Sequence, residues 1–569
     1  MTAPEVRPTR TGTAPWPAEV ARRYRAAGLW TGEPLGTRFA TAARLSPHAV
    51  ALVDGDVRLS CAELAARVDG AARRLRDDLG LAADDRVVVA LPNCWEFVVL
   101  TLACFRAGLV PVMALPVHRA HELGHLTAAS DARAIAVPGG RDGSSHAALA
   151  DELVAAHPLL EHVLVTGPGA AGADRAARTD LTELCAPDPD PAAARAELDA
   201  AAPAADAVAL FLLSGGTTGL PKLIARTHDD YGYGATRSGE VCGFSAGTRY
   251  LAVLPMSHNY TLAGPGVLGT LLAGGRVVVG RSPAPERMFP LVAAEGVTVT
   301  SLVPAVVARW IDHCASGDAD PADLRSLELL QVGGARIPDH VAEQVGPVLG
   351  AELQQGYGMA EGLICFTRPG DGHGVTCRTQ GRPISPHDEL LVVDERGAPV
   401  APGEPGALLT RGPYTHRGYY RADGHNASAF TADGWFRTGD VVRVRPDGNL
   451  VVEGRDKDMI NRGGEKVSAE AVENFALQVP GVARAAAVAM PDPVLGERVC
   501  LYVVPRPGHE VGLADVLGVM DRAGVARFVR PERLVRVVDL PVTGIGKTDK
   551  KALRADIAGR LAAESRATA

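Results

Sequence analysis

A chain of 569 residues is too long for one compact core, and 47% apolar with 22% charged residues reads as a large α/β enzyme rather than a disordered or fibrous protein. A net charge of -8, no long basic run and only 5% aromatic residues give no electrostatic footprint for nucleic acid or an anionic membrane, so neither partner is expected. Nine cysteines without any CxxC pair suit a reduced, cytoplasmic protein.

The N-terminal MTAPEVRPTRTGTAPWP has no apolar core of the kind that targets secretion. Residues 97–117 are the most apolar stretch, broken by Arg106, Gly108 and Pro111, and predict a buried helix followed by a strand. Strand-like runs at 86–91, 207–213, 276–279 and 297–303 alternate with helical patterns, which predicts layered α/β with mixed or parallel sheets. Residues 167–205, rich in Ala, Pro, Asp and Gly around PDPDP, read as a surface connection.

The next segment carries the strongest local signal: Ser214-Gly215-Gly216-Thr217-Thr218-Gly219-Leu220-Pro221-Lys222, directly after the run AVALFLL. Its glycines let backbone fold around phosphate oxygens, the hydroxyls of Ser214, Thr217 and Thr218 can donate, and Lys222 adds a positive charge. The spacing of Gly219 and Lys222 excludes a Walker A loop, and no Ser or Thr follows the lysine. Cys365, His373 and Cys377 come nearest to a metal cluster but lack a fourth ligand. From residue 456 onward, GRDKDMINRGGEKV leads into an amphipathic helix and a smaller α/β pattern, so domains 1–455 and 456–569 are expected.

With Tyr357-Gly358-Met359-Ala360-Glu361, Thr438-Gly439-Asp440, Gly454-Arg455-Asp456-Lys457-Asp458 and Pro541-Val542-Thr543-Gly544-Ile545-Gly546-Lys547, the loop makes five ordered motifs. In these the chain resembles the acyl- and aryl-adenylating (ANL) superfamily of acyl-CoA synthetases, luciferases and nonribosomal peptide synthetase adenylation domains. LSGGTTGLPKLIARTHDDY, LPMSHNYTLAGPGVLG, LQVGGARI, QQGYGMAEGL, LLTRGPYTHRGYY and DMINRGGEKV look most like the stand-alone 2,3-dihydroxybenzoate and salicylate ligases.

The resemblance implies a large N-terminal domain binding ATP and an aromatic acid, and a smaller mobile C-terminal lid. The acid would be activated as its acyl-AMP and passed to a phosphopantetheine thiol of an aryl-carrier protein; no carrier-like segment follows Lys547, so a separate carrier is expected. Free CoA as acceptor and a non-catalytic nucleotide-binding homologue are the alternatives. Thr218 and Glu361 would hold Mg²⁺, as a hard cation bridging phosphates needs. The 214–219 loop and Lys222 would bind the polyphosphate, Tyr357 would pack near the adenine, and Gly356, Gly358, Met359 and Lys457 would also belong to the ATP/AMP site. Asp440 would accept from the ribose hydroxyls, with Arg455 in support. Lys547 would reach the carboxylate and α-phosphate, Lys457 would be the hinge, and the 461–466 loop, with Gly464, would line the thiol channel.

At the acid itself, His258 would contact the carboxylate, and Asn259 stands where amino-acid-activating domains carry an aspartate. An uncharged amide points to an ortho-substituted aromatic acid instead. Gly333 and Gly334 would form a flat wall and Ile364 an apolar one. Gly264 replaces the serine of dihydroxybenzoate enzymes and the cysteine of salicylate enzymes, which widens that side and leaves 2,3-dihydroxybenzoate, salicylate, 3-hydroxyanthranilate and related acids open.

Overall fold

The Trp95–Ala107 helix is buried along its whole length, and a helix apolar on every side must be covered on every side. In the computed structural model, which describes residues 7–140, 146–167, 178–214, 221–455, 458–462, 465–492, 495–523, 525, 527–542 and 548–568, that cover comes from the helices Leu35–Leu45 and Cys61–Asp77 and from one strand of each of two sheets. Among the described residues one sheet runs Arg178–Asp180, His162–Thr166, Ala134–Pro138, Arg86–Val89, Val110–Met113, Val208–Leu213, Leu223–Thr227. All its neighbours are parallel except the last pair, a hairpin.

The second sheet runs Arg382–Pro383, Ile364–Phe366, Glu352–Gly358, Leu329–Val332, Val299–Leu302, Arg249–Ala252, Arg276–Val279, Val50–Asp54, Val57–Ser60, parallel through its centre and antiparallel at both ends. The predicted strand runs and the buried helix before Val110–Met113 fall where the apolar patterns put them. An antiparallel sheet of Glu389–Val393, Pro405–Arg411, Phe436–Val444 and Leu450–Arg455 follows. A smaller C-terminal unit is built on the Val482–Asp492 and Gly496–Pro505 hairpin, with Arg533–Arg536 parallel to it and the helices Ala469–Ala476, Leu513–Arg522 and Lys550–Thr568 around it. The architecture is thus mixed α/β with a large N-terminal part and a smaller C-terminal one. Among the described residues no helix is long and apolar enough to cross a membrane.

Residues 178–205 correct the expectation of a surface connection. They form the edge strand Arg178–Asp180 and the helices Leu181–Leu184 and Pro191–Ala200, with Leu181, Leu184 and Leu198 buried. The PDPDP run is a helix start: Asp190 caps, accepting from Ala193 N at 3.0 Å, and Pro191 takes the first helical position. Asp199 on this helix joins Asp69 in holding Arg106, a guanidinium sunk in the all-buried helix (2.5 and 2.9 Å).

Polar side chains key the second sheet together. Ser301 donates to Gln331 Oε1, Gln331 to Gln354 Oε1 and Gln354 to the Thr367 carbonyl, each at 2.8 Å and all buried. Ser301, Gln331 and Gln354 are aligned partners on adjacent strands, so any slip of register would leave buried amides unpaired. Gly381, at φ +78°, has room for no side chain: a Cβ there would lie 1.8 Å from the Phe366 carbonyl carbon.

Asp388 links the second sheet to the antiparallel one. Its Oδ2 accepts from Tyr414 OH at 2.5 Å and Ser385 N at 3.3 Å, while Oδ1 is buried without a partner among the described residues. Burial pushes its pKa up to about 7, against roughly 3.9 in an unfolded chain. Between about pH 4 and pH 7 the folded chain keeps a proton that the unfolded chain has lost, so this group's contribution falls as pH rises through that window and is least favourable above it. In urea melts the stability of Asp388→Asn relative to the parent is expected to rise from pH 4 to pH 8; a difference constant with pH would contradict the assignment.

Candidate active site

The hairpin of Val208–Leu213 and Leu223–Thr227 ends at the pair Leu213 and Leu223. Beyond it Ser214 N donates to the Lys222 carbonyl and Lys222 N to Ser214 Oγ, both at 3.0 Å, closing the loop at its base. Ser214 therefore serves the backbone of its own loop. Gly215, Gly216, Thr217, Thr218 and Gly219 lie outside the described residues. His125 Nε2 meets the Pro221 carbonyl at 3.0 Å, and the Lys222 ammonium stands 5.7 Å from the centre of the Tyr419 ring.

Immediately after this hairpin the chain buries a cation. Arg226 Nε donates to Asp230 Oδ1 at 2.7 Å, Nη1 to the Ala360 carbonyl at 2.9 Å and Nη2 to the Tyr414 carbonyl at 2.8 Å. Asp230 also closes the capping box of the His228–Val241 helix, accepting from Thr227 N and Oγ1 (2.9 and 2.7 Å). The Ala360 carbonyl that Arg226 holds belongs to the turn carrying Glu361.

Glu361 is fixed from both ends. Its carbonyl accepts from His416 N and its Oε1 from Tyr419 OH, each at 2.8 Å. Burial raises the Glu361 pKa and, with the carboxylate beside it, that of Tyr419, so the phenol remains a donor. His416 sits among Tyr419, Phe430 and Phe436 with its pKa lowered by burial to about 3; it is neutral, with Nδ1 at 3.1 Å from the Gly418 carbonyl.

Next to this turn, Asp440 is buried on the Phe436–Val444 strand with Arg455 directly across in the ladder. Arg455 Nε approaches Oδ1 at 2.6 Å and Tyr357 OH donates to Oδ2 at 2.5 Å. Burial and the neighbouring carboxylate hold the Tyr357 phenol protonated. Gly356 is packed against the Phe366 ring, 2.5 Å from where a Cβ would stand, and Met359 packs between two core clusters.

The residues expected at the acid gather around the short helix Asn259–Ala263. His258 caps it, its Nδ1 accepting from Tyr260 N at 3.3 Å, which gives this histidine a structural duty. Asn259 Oδ1 accepts from the buried Tyr231 hydroxyl at 2.9 Å. The Tyr260 ring lies on Gly333, where a Cβ would come within 3.0 Å of it, and Gly334 has φ +80°. At Gly264 a Cβ would meet Tyr260 at 3.4 Å or more, so the position has room for a small side chain that this sequence does not supply. Ile364 packs into an aromatic cluster with Tyr24, Trp30, Tyr233, Phe366 and Tyr414, which Tyr260 borders.

Lys547 and Lys457 fall outside the described residues, as does Gly464. Val542 and Thr548 pair as an antiparallel bridge on either side of residues 543–547, and Lys550 reaches Glu473 at 2.7 Å. Asp458 is paired with Arg554 at 2.9 Å. Sequence reasoning missed Arg226, Tyr231 and Tyr419. The Thr227–Asp230 capping pattern was a readable signal for the first two; Tyr419 lies within LLTRGPYTHRGYY, where nothing set it apart from its neighbours.

Residues 39–420 match the family model described as AMP-binding enzyme, and residues 471–547 match that of the AMP-binding enzyme C-terminal domain. The chain belongs to the AMP-binding enzyme family. It is 56% identical over 554 residues to a salicylyl-CoA synthase / salicylate adenylyltransferase of a Streptomyces species, covering 97% of this chain and 99% of that one. It is 57% identical over 556 residues to the 2-hydroxy-7-methoxy-5-methyl-1-naphthoate--CoA ligase of Streptomyces carzinostaticus, covering 97% and 98%. A salicyl-AMP ligase / salicyl-S-ArCP synthetase of Mycobacterium tuberculosis is 46% identical over 549 residues, covering 95% and 94%.

Replacing Arg226 by Met leaves Asp230 buried without its cation, a loss expected to cost about 3–5 kcal/mol in urea unfolding. The double variant Arg226→Met/Asp230→Asn is expected to recover part of that loss; a double variant no more stable than the single would refute the pairing.

Proposed function

We propose that the chain is an aryl acid:AMP ligase, which uses ATP to convert an ortho-substituted aromatic acid to its acyl-AMP and then passes the acyl group to a phosphopantetheine thiol. The observation that carries this reading is Asn259, an uncharged amide held by Tyr231, beside a site with the marks of a nucleotide pocket. An α-amino acid would leave its ammonium without a counter-charge there.

A carboxylic acid is ionised at neutral pH, so its oxygen attacks the α-phosphorus without a general base; the bond to the β-phosphate oxygen breaks and pyrophosphate leaves with the electron pair. The work left to the chain is placement and charge. Asp440, with Arg455 and Tyr357, orients the ribose, Lys222 and the 214–219 loop take the leaving phosphates, and Lys547 steadies charge between carboxylate and α-phosphate. Glu361, a buried carboxylate whose ionisation burial disfavours, has the hard oxygen chemistry that suits Mg²⁺, with Thr218 as a second oxygen. Bound Mg²⁺ supplies charge neutralisation on the phosphate oxygens. In the second half-reaction the thiol attacks the acyl carbon and AMP departs.

The acceptor is a carrier-protein thiol in the leading reading, in line with the mycobacterial relative's name. Free CoA is the second reading, favoured by the names of the two Streptomyces relatives. Pyrophosphate exchange into ATP is expected with hydroxylated benzoates and not with amino acids, and thioester formation with CoA against a holo carrier protein separates the acceptors. No exchange above background across a panel of hydroxy- and aminobenzoates would overturn the proposal. Lys547→Ala is expected to lower adenylation by at least about 10²-fold while largely sparing thioester formation from supplied acyl-AMP; equal loss in both half-reactions would contradict its role.

A further inference from the structure

The Asn259 amide is committed at one end. Tyr231 is 2% exposed, its ring lies 5.2 Å from the Arg226 guanidinium, and its hydroxyl gives its hydrogen to Asn259 Oδ1 at 2.9 Å. Burial holds that phenol protonated, so it keeps the hydrogen that it gives to Oδ1. Among the described residues nothing accepts from Asn259 Nδ2, and the residue is only partly covered. Its remaining face toward a ligand is therefore an N–H donor.

We propose that Tyr231 is a positioning residue that turns the Asn259 NH₂ toward the bound acid and so selects acids with an ortho oxygen over those with an ortho amino group. This rests on the aryl acid reading above. In an ortho-hydroxy acid the phenol hydrogen turns inward to its own carboxylate, which leaves an oxygen lone pair facing outward to accept from Asn259. In an ortho-amino acid one N–H turns inward and the other points outward, donor against donor, while the nitrogen lone pair is spread into the ring. One unmatched buried hydrogen bond of this kind is worth roughly ten-fold or more in discrimination. The same preference sets 3-hydroxyanthranilate below salicylate and 2,3-dihydroxybenzoate.

The test compares salicylate with anthranilate, acids of nearly equal size, by pyrophosphate exchange in the parent, Tyr231→Phe and Asn259→Ala. The parent is expected to favour salicylate in kcat/KM by at least about ten-fold. Tyr231→Phe keeps the ring but frees the amide to turn over, and its ratio is expected to fall several-fold through KM for the acid, with KM for ATP unchanged. Asn259→Ala is expected to bring the two acids level. A parent that uses both acids equally or prefers anthranilate, or either variant keeping the parent's ratio, would overturn the inference while leaving aryl acid activation standing. Absence of exchange with every acid would overturn that reading and this inference with it.

Discussion

A guanidinium inside a protein is tolerated only where a carboxylate and further acceptors surround it. Arg226 meets that condition with Asp230, the Ala360 carbonyl and the Tyr414 carbonyl, and it lies over the Tyr231 ring. Each partner belongs to a different working part. Asp230 fixes the start of the His228–Val241 helix, Ala360 precedes Glu361, Tyr414 leads toward Tyr419, and Tyr231 holds Asn259. One buried cation thus sets the spacing between the proposed phosphate side and the proposed acid side of the site.

The proposed ribose end is organised by a separate device. Asp440 and Arg455 face each other across an antiparallel ladder, and Tyr357 comes from the neighbouring sheet to complete the group. With a cation and a phenol already in place, the carboxylate has its geometry before a nucleotide arrives, which is what preorganised binding requires. The proposed site therefore draws on three sheets: Lys222 at the hairpin end of the first, Tyr357 on the second and Asp440 on the third.

Apolar patterning made much of this fold legible. The all-buried helix and the strands at 86–89, 208–213, 276–279 and 299–302 follow directly from runs of Val, Leu, Ile and Ala. What patterning hid was polar and long-range. PDPDP read as punctuation although its second Asp-Pro pair, Asp190-Pro191, is a helix start, and the packing of Leu198 decides between the two. His258 read as a ligand group, and its second duty, the helix cap made through Nδ1, was not legible. Arg226 stood inside a quoted motif, yet its partners at 360 and 414 are carbonyls, which any residue supplies and no sequence marks. Asn259 was legible as an uncharged position, but not the direction of its amide, since that depends on a hydroxyl 28 positions away.

Gly333 follows directly on the strand that Gln331 locks to Ser301 and Gln354. The glycine's height in the sheet is consequently not adjustable: moving it by one residue would unpair a chain of buried amides. The Tyr260 ring resting on it inherits that fixed level. If the acid lies where proposed, a lineage of such enzymes adapting to larger or smaller aromatic acids has a rigid floor on this side, whereas the vacant side-chain position at Gly264, just past the facing short helix, can be filled without moving the sheet.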